Sequence, residues 1–227
     1  MNIPSDITAF MIDLDGTLLD TIPDLAVAAN ATLAEIGRPP LPIETITTFV
    51  GKGIPNLVKR CLTGSLQSAG EPSQTELDRV LPIFMRHYAV VNGRQTTIYP
   101  GVSEGLDLMR AAGLQLACVT NKAAAFTEPL LVTMGLRDYF RVVVSGDTLA
   151  EKKPHPAQLL HICEALGVAP AQALLIGDSV NDVEAAHRAG CPVFCVDYGY
   201  NEGGDVHDLD CNAIVSRLDE AAQHLAQ

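Results

Sequence analysis

Three features of this 227-residue sequence predict an α/β fold, a doubly wound and mostly parallel sheet carrying an inserted all-helical domain. Short apolar runs alternate with helical patterns from residue 98 onward. Each helical pattern there ends at a glycine, where a left-handed turn is wanted. Between the first apolar strand and the next, the chain reads as helix throughout.

The first strand lies in "AFMIDLD" (9–15), an apolar run that ends in two aspartates. Residues 18–95 follow, with helices in "DLAVAANATLAEIG", "IETITTFV", "IPNLVKRCL" and "SQTELDRVLPIFMRHYAVV". A loop of that length is implausible in a compact domain, so 18–95 is expected to be an inserted helical domain, with 1–17 and 96–227 forming one core domain. Leu18–Pro23 and Asn92–Pro100 would be its hinges. The later strands are "LQLACVT" (114–120), "RVVVSG" (141–146), "ALLIGD" (173–178), "PVFCVD" (192–197) and a weaker "CNAIVS" (211–216), all apolar enough for burial on both faces. The intervening helices are "GVSEGLDLMRAAG", "AAAFTEPLLVTMG", "PAQLLHICEALG" and "NDVEAAHRAG".

Composition narrows the class. With 15 basic against 27 acidic residues the net charge is −12, which repels nucleic acid and anionic membrane, and no basic patch overrides it. No apolar run approaches the length of a membrane span and residues 1–8 have no basic cluster, so a cytoplasmic enzyme is expected, as monomer or homodimer. The six cysteines form no CxxC and three of them lie in or beside strand-like runs, which predicts buried reduced thiols.

Alternation along a strand sends Asp13 and Asp15 to the same side, with Leu14 pointing into the sheet. Ligands of parallel sheets bind at the carboxyl ends of strands, and Gly16 permits a sharp turn with amides free to face an anion. Two bare carboxylates there repel, and unless one stays protonated a divalent cation is the natural remedy. "LLIGDSVND" repeats the design with Asp178 at a strand end and Asp182 at a helix start, completing a hard-cation site for which magnesium is the first candidate. Taken singly, Asp178 and Asp182 read equally as helix caps. Thr120 and Asn121 offer a hydroxyl and amides to phosphate oxygens, or simply cap the next helix. Lys153, held by Pro154 in an extended segment, either neutralises phosphate or is a loop cation; Lys152 reads as a solvated cation and His155 as structural.

"DLDGT" (13–17), "VTN" (119–121), "KKP" (152–154) and "GDSVND" (177–182) together resemble, in order, the four motifs of the haloacid dehalogenase superfamily. The resemblance spans the chain, since the helical insertion is similar to that family's small cap over a Rossmann-like core. It implies phosphate ester hydrolysis or phosphoryl transfer, because Asp15 is present where dehalogenases and phosphonate hydrolases generally lack it. It further implies Asp13 as nucleophile, Asp15 as acid and then base, and magnesium on Asp13, the Asp15 carbonyl and Asp178. Thr17, Thr120, Asn121 and Lys153 would bind the substrate, and Asp182 would support the site from behind.

"KKPHP" and "YGYN" (198–201) resemble the bacterial phosphoglycolate phosphatase subfamily, which implies a small phosphorylated metabolite, 2-phosphoglycolate, as partner. Sugar phosphates, nucleotides and pyrophosphate are alternatives within the fold. A phospho-ligand sensor without turnover is another, against which the complete set of motif residues argues. In "FVGKGIPNLVKR" (49–60) the glycines permit a tight loop that either brings Lys52 to the substrate carboxylate, with Arg60 and Lys59 as substitutes, or is a surface turn.

Overall fold

The computed structural model describes residues 6–66 and 72–224. Five residues of the stretch read for a leader (1–5) and 67–71 of the helical insertion lie outside the described residues. In chain order the elements are β1 (Ala9–Ile12), β2 (Leu19–Asp20), α1 (Ile22–Glu35), α2 (Ile43–Thr48), α3 (Ile54–Thr63), α4 (Gln74–Val91), β3 (Thr97–Ile98), α5 (Val102–Ala111), β4 (Gln115–Val119), α6 (Ala124–Thr133), β5 (Val142–Val144), α7 (Ala157–Leu166), β6 (Ala173–Gly177), α8 (Val180–Ala189), β7 (Val193–Val196), β8 (Ala213–Val215) and α9 (Leu218–His224).

Six strands pair in parallel in the order β5-β4-β1-β6-β7-β8. The chain runs outward from β1 through β4 to β5 on one side, and through β6 to β8 on the other. Strand order therefore reverses at β1, the place where an open α/β sheet leaves a crevice beyond its carboxyl ends.

Period-two alternation builds a core on each face of this sheet. Phe10 and Ile12 of β1, Leu116 and Cys118 of β4, and Leu174 and Ile176 of β6 pack with α5, α6 and α9. Ala9 and Met11, Ala117 and Val119, and Ala173 and Leu175 pack with α7 and α8. Gly167 and Gly190 end α7 and α8 in the left-handed conformation, with φ of 70° and 75°. All six cysteines are free thiols, five of them buried and Cys211 half-buried. Among the described residues no helix is long and apolar enough to cross a membrane.

Helices α1–α4 have a third core, built on Leu25, Ala29, Phe49, Leu57, Phe84 and Tyr88, which also takes in Phe126 of α6 and Tyr200 from beyond β7. The two connections to the sheet are more ordered than plain hinges. β2 and β3 form a short antiparallel ribbon with Leu19 opposite Ile98 and Asp20 opposite Thr97. Behind it, the fully buried Asp24 of α1 accepts hydrogen bonds from the backbone N–H groups of Gly93, Gln95 and Thr96 at 2.9–3.1 Å and from Thr96 Oγ1 at 2.7 Å. One carboxylate thus ties the incoming connection to the outgoing one.

Asp24→Ala leaves four donors without that acceptor, and unsatisfied buried donors are costly. Stability in urea denaturation should fall by about 3 kcal/mol. A variant within about 0.5 kcal/mol of wild type would show that Asp24 does not secure the join.

Candidate active site

β1 stops at Ile12, so Asp13 and Asp15 stand on the turn beyond it. Gly16 makes that turn with φ 90°, and a Cβ there would come within 2.3 Å of Asp178 Oδ2. The turn uses its own amides: the N–H of Gly16 donates to Leu19 O at 2.9 Å and that of Leu18 to Leu14 O at 3.1 Å. The expectation that the Gly16 turn leaves amides free for an anion is thereby corrected at these residues. Leu14 is buried in the sheet core, as the alternation required.

Each aspartate has its own lysine. Lys153 Nζ lies 2.9 Å from Asp13 Oδ1 and 2.7 Å from Asp182 Oδ1. Lys122 Nζ lies 2.8 Å from Asp15 Oδ1, which also accepts from Thr21 Oγ1 at 2.7 Å. Lys122 and Lys153 are both buried, and their acidic neighbours raise both above the ordinary lysine value despite burial, so both are ammonium groups. Sequence reasoning missed Lys122. The signal was present, in that the residue directly after Thr120–Asn121 is basic and Asp15 needed a counter-charge.

Asp13, Asp178 and Asp182 bring carboxylate oxygens within 4.8 Å of one another. The carboxylate of Asp15 is not among them, which corrects its placement as a third strand-end acid of the cation site. The strand ends at Ile12, three residues before Asp15, so the alternation does not reach it, and Lys122 and Thr21 draw it aside. Asp178 Oδ2 accepts from the N–H of Tyr200 at 2.7 Å and Oδ1 from Thr17 Oγ1 at 3.3 Å. Thr17, expected to bind substrate, is instead fully buried behind Asp178. Asp182 Oδ2 accepts from the N–H and Oγ of Ser179 in a reciprocal cap at the start of α8, so the capping role and the site role coexist.

Burial pushes the Asp178 carboxyl up to about 7, with the charge of Asp182 adding to it. Burial raises Asp13 as well, against the pull of Lys153 and with Asp182 and Asp178 adding to the rise. Three buried carboxyls share one lysine: Lys153 meets Asp13 and Asp182, and Asp178 has no cation of its own. An all-oxygen donor set of this charge fits a hard divalent cation.

An open cleft lies between the sheet and the insertion. Asp13, Asp15, Thr120, Asn121, Lys153 and Asp178 all line it. Thr120 and Asn121 precede α6 on a loop and do not cap it directly. Asn121 Nδ2 donates to Gly51 O at 3.0 Å and to Lys153 O at 2.9 Å, so it joins the inserted loop to the sheet side. Residues 152–155 form a turn, with the N–H of His155 on Lys152 O and a cis Lys153–Pro154 bond, where an extended segment was expected. The His155 ring accepts from the N–H of Ala157 and is structural, as read.

Lys52 is outside the cleft lining. Its Nζ lies 3.3 Å from Glu202, with the side chain 41% exposed. Arg60 pairs with the same carboxylate, Nη2 to Oε2 at 3.1 Å, and donates to Phe49 O at 2.9 Å. Glu202 takes both cations, and its side chain also lies against Gly51 of the inserted loop.

A strand-end acid cluster with a buried lysine, at the switch point of a doubly wound sheet beneath a helical insertion, defines a class. The model of the haloacid dehalogenase-like hydrolase family matches residues 10–196, and the chain belongs to that family. It is 57% identical over 98% of its length to the phosphoglycolate phosphatase of Nitrosospira multiformis, covering 97% of that protein. It is 52% identical to that of Thiobacillus denitrificans, covering 96% of each. A crystal structure described as a predicted phosphoglycolate phosphatase from Haemophilus somnus 129pt superposes with a TM-score of 0.91 at 31% identity, covering 100% of both chains.

Because Asp13 and Asp178 are raised, a cation must displace protons from them. Affinity for a divalent cation should therefore weaken as pH falls through about 7, the value for Asp178. Calorimetric titration with magnesium at pH 7 in buffers of different ionisation heat should show proton release. Equal affinity at pH 6 and pH 8 with no release would contradict the cluster as the cation site.

Proposed function

We propose that the protein is a magnesium-dependent phosphatase that hydrolyses 2-phosphoglycolate to glycolate and phosphate, with the phosphoryl group carried in between on Asp13. The observation that carries this reading is the pairing of two cleft-facing aspartates with two buried lysines, Asp13 with Lys153 and Asp15 with Lys122. The names of the relatives supply the substrate.

Asp13 attacks phosphorus as its bond to the glycolate oxygen breaks, and Asp15 gives that oxygen its proton. Asp15 then takes a proton from water, whose oxygen attacks the same phosphorus and returns Asp13 as carboxylate. Lys153 offsets charge on the phosphoryl oxygens, and Thr120 and Asn121 supply donors beside it. Thr17 and Asp182 hold Asp178 and Lys153 in position. Asp13, Asp178 and the carbonyl of Asp15 would hold magnesium, which would supply the remaining positive charge beside the phosphoryl group.

In this reading residues 18–95 are a cap that closes over a core of 1–17 and 96–227, and Lys52 helps to seat it through Glu202. The enzyme works in the cytoplasm on a small metabolite, with no role for nucleic acid or membrane.

Phosphate release should be fastest with 2-phosphoglycolate in a panel that includes sugar phosphates, nucleotides and pyrophosphate, and should stop with chelator. Preference for another member would overturn the substrate and leave the phosphatase. Asp13→Asn should lower kcat by about a thousandfold or more with the fold retained, as for other removed nucleophiles. Retention of a tenth of the activity would exclude covalent catalysis through Asp13.

Asp15→Asn should affect substrates unequally. kcat/KM for an alkyl phosphate, whose leaving oxygen needs a proton, should fall about 100-fold or more, and for nitrophenyl phosphate by much less. Equal losses on both would remove Asp15 from the proton-transfer role.

A further inference from the structure

A phosphate ester of a 2-hydroxy acid carries a carboxylate one methylene from the bridging oxygen. In a protein of net charge −12 that carboxylate needs a cation beyond those on the phosphoryl group. Among the described residues, the cations lining the cleft are Lys122 and Lys153. Lys153 is held between Asp13 and Asp182, on the phosphoryl side. Lys52 and Arg60 are both engaged by Glu202 outside the lining. The unpaired amide Nδ2 of Asn181 is neutral and lies on α8, among the acids that face the phosphoryl group.

Lys122 stands on the other side, one hydrogen bond from the acid that serves the leaving oxygen. Its main chain is fixed, the N–H donating to Thr120 Oγ1 at 3.2 Å and the carbonyl accepting from Gly146 at 2.7 Å. Its Nζ rests 4.9 Å from the ring centroid of Tyr88 on α4, so the insertion backs the ammonium. A bridging oxygen bonded to Asp15 puts a carboxylate one methylene away within hydrogen-bonding reach of that ammonium, at bond lengths of about 2.7–3.0 Å.

We infer that Lys122 is the specificity-determining residue that binds the carboxylate of the substrate, in the place expected of Lys52. The inference rests on the phosphoglycolate reading. Lys122 then has two acidic partners in the complex, Asp15 and the substrate, and a substrate without a carboxylate leaves the second position to water. Tyr88 ties this recognition to seating of the inserted helices, because the ring that backs the ammonium belongs to them.

The test compares 2-phosphoglycolate with ethyl phosphate, which keeps the bridging oxygen and methylene and replaces the carboxylate by methyl. In Lys122→Met the ratio of kcat/KM values should fall by about 10- to 100-fold, the worth of a charged hydrogen bond. Lys122→Arg should retain most of the ratio. Equal proportional losses on both substrates would overturn the inference and leave Lys122 as a group that only positions Asp15; so would an unchanged ratio. A wild-type enzyme that does not discriminate between the two would instead overturn the phosphoglycolate reading itself. If Lys122→Met does not fold, Asp15→Asn and Asp15→Asn/Lys122→Met are compared by calorimetric binding with magnesium present, since the double variant leaves no unpaired charge in that pair. Loss of the preference for 2-phosphoglycolate in the double variant alone supports the inference, and equal preference in both overturns it.

Discussion

The burial of aspartates opposite lysines beyond the carboxyl ends of β1, β4, β5 and β6 is the constraint on which the rest of the structure depends. Asp13 and Asp15 leave the sheet two residues apart, yet each meets a different ammonium, Lys153 from the turn before α7 and Lys122 from the loop after β4. Removing such charges from water is expensive unless partners are placed well. The placement comes from the sheet: β4 and β5 lie in turn on one side of β1 and β6 on the other, so the connections that follow these four strands meet beyond one edge. Lys153 Nζ also donates to Val119 O at the end of β4, which ties its position to the sheet edge itself.

Asp178 has a different solution. It has no lysine of its own and is held by the hydroxyl of Thr17 and the N–H of Tyr200. Gly16 and Gly199 close around it so tightly that a Cβ on either would overlap the carboxylate. Its upward shift follows from that enclosure.

The helical insertion is joined to this charged floor at several independent points. Asp24 closes the two connections on each other, and Asn121 holds Gly51 O of the inserted loop. Glu202 binds Arg60 and Lys52, and Lys122 lies beneath Tyr88. Glu202 sits in a left-handed conformation with φ 49°, two residues after Tyr200 and one after Asn201, which caps the N–H of Val180. The segment that fixes Asp178 and the start of α8 therefore also receives the insertion, so the fit of the lid and the geometry of the acid cluster share one loop.

The doubly wound sheet was legible from the sequence because strands buried on both faces are continuous apolar runs and helices that end at glycine declare their ends. The helical insertion was legible because 78 residues without a strand-like run cannot be a loop. Asp13, Asp178, Lys153 and Asp182 were legible because each follows an apolar run that reads as a strand, although β1 stops at Ile12, earlier than that run suggests. The β2–β3 ribbon was not, since two-residue strands carry no pattern. The partners of Asp15, Lys52 and Thr17 were not either: which cation meets which carboxylate is decided among residues up to 150 positions apart, as between Lys52 and Glu202. Local pattern determined which groups arrive at the carboxyl edge of the sheet. Only tertiary packing, by bringing several loops to one point and making unpaired charge costly there, decided that Lys122 faces Asp15 and that Lys52 turns away.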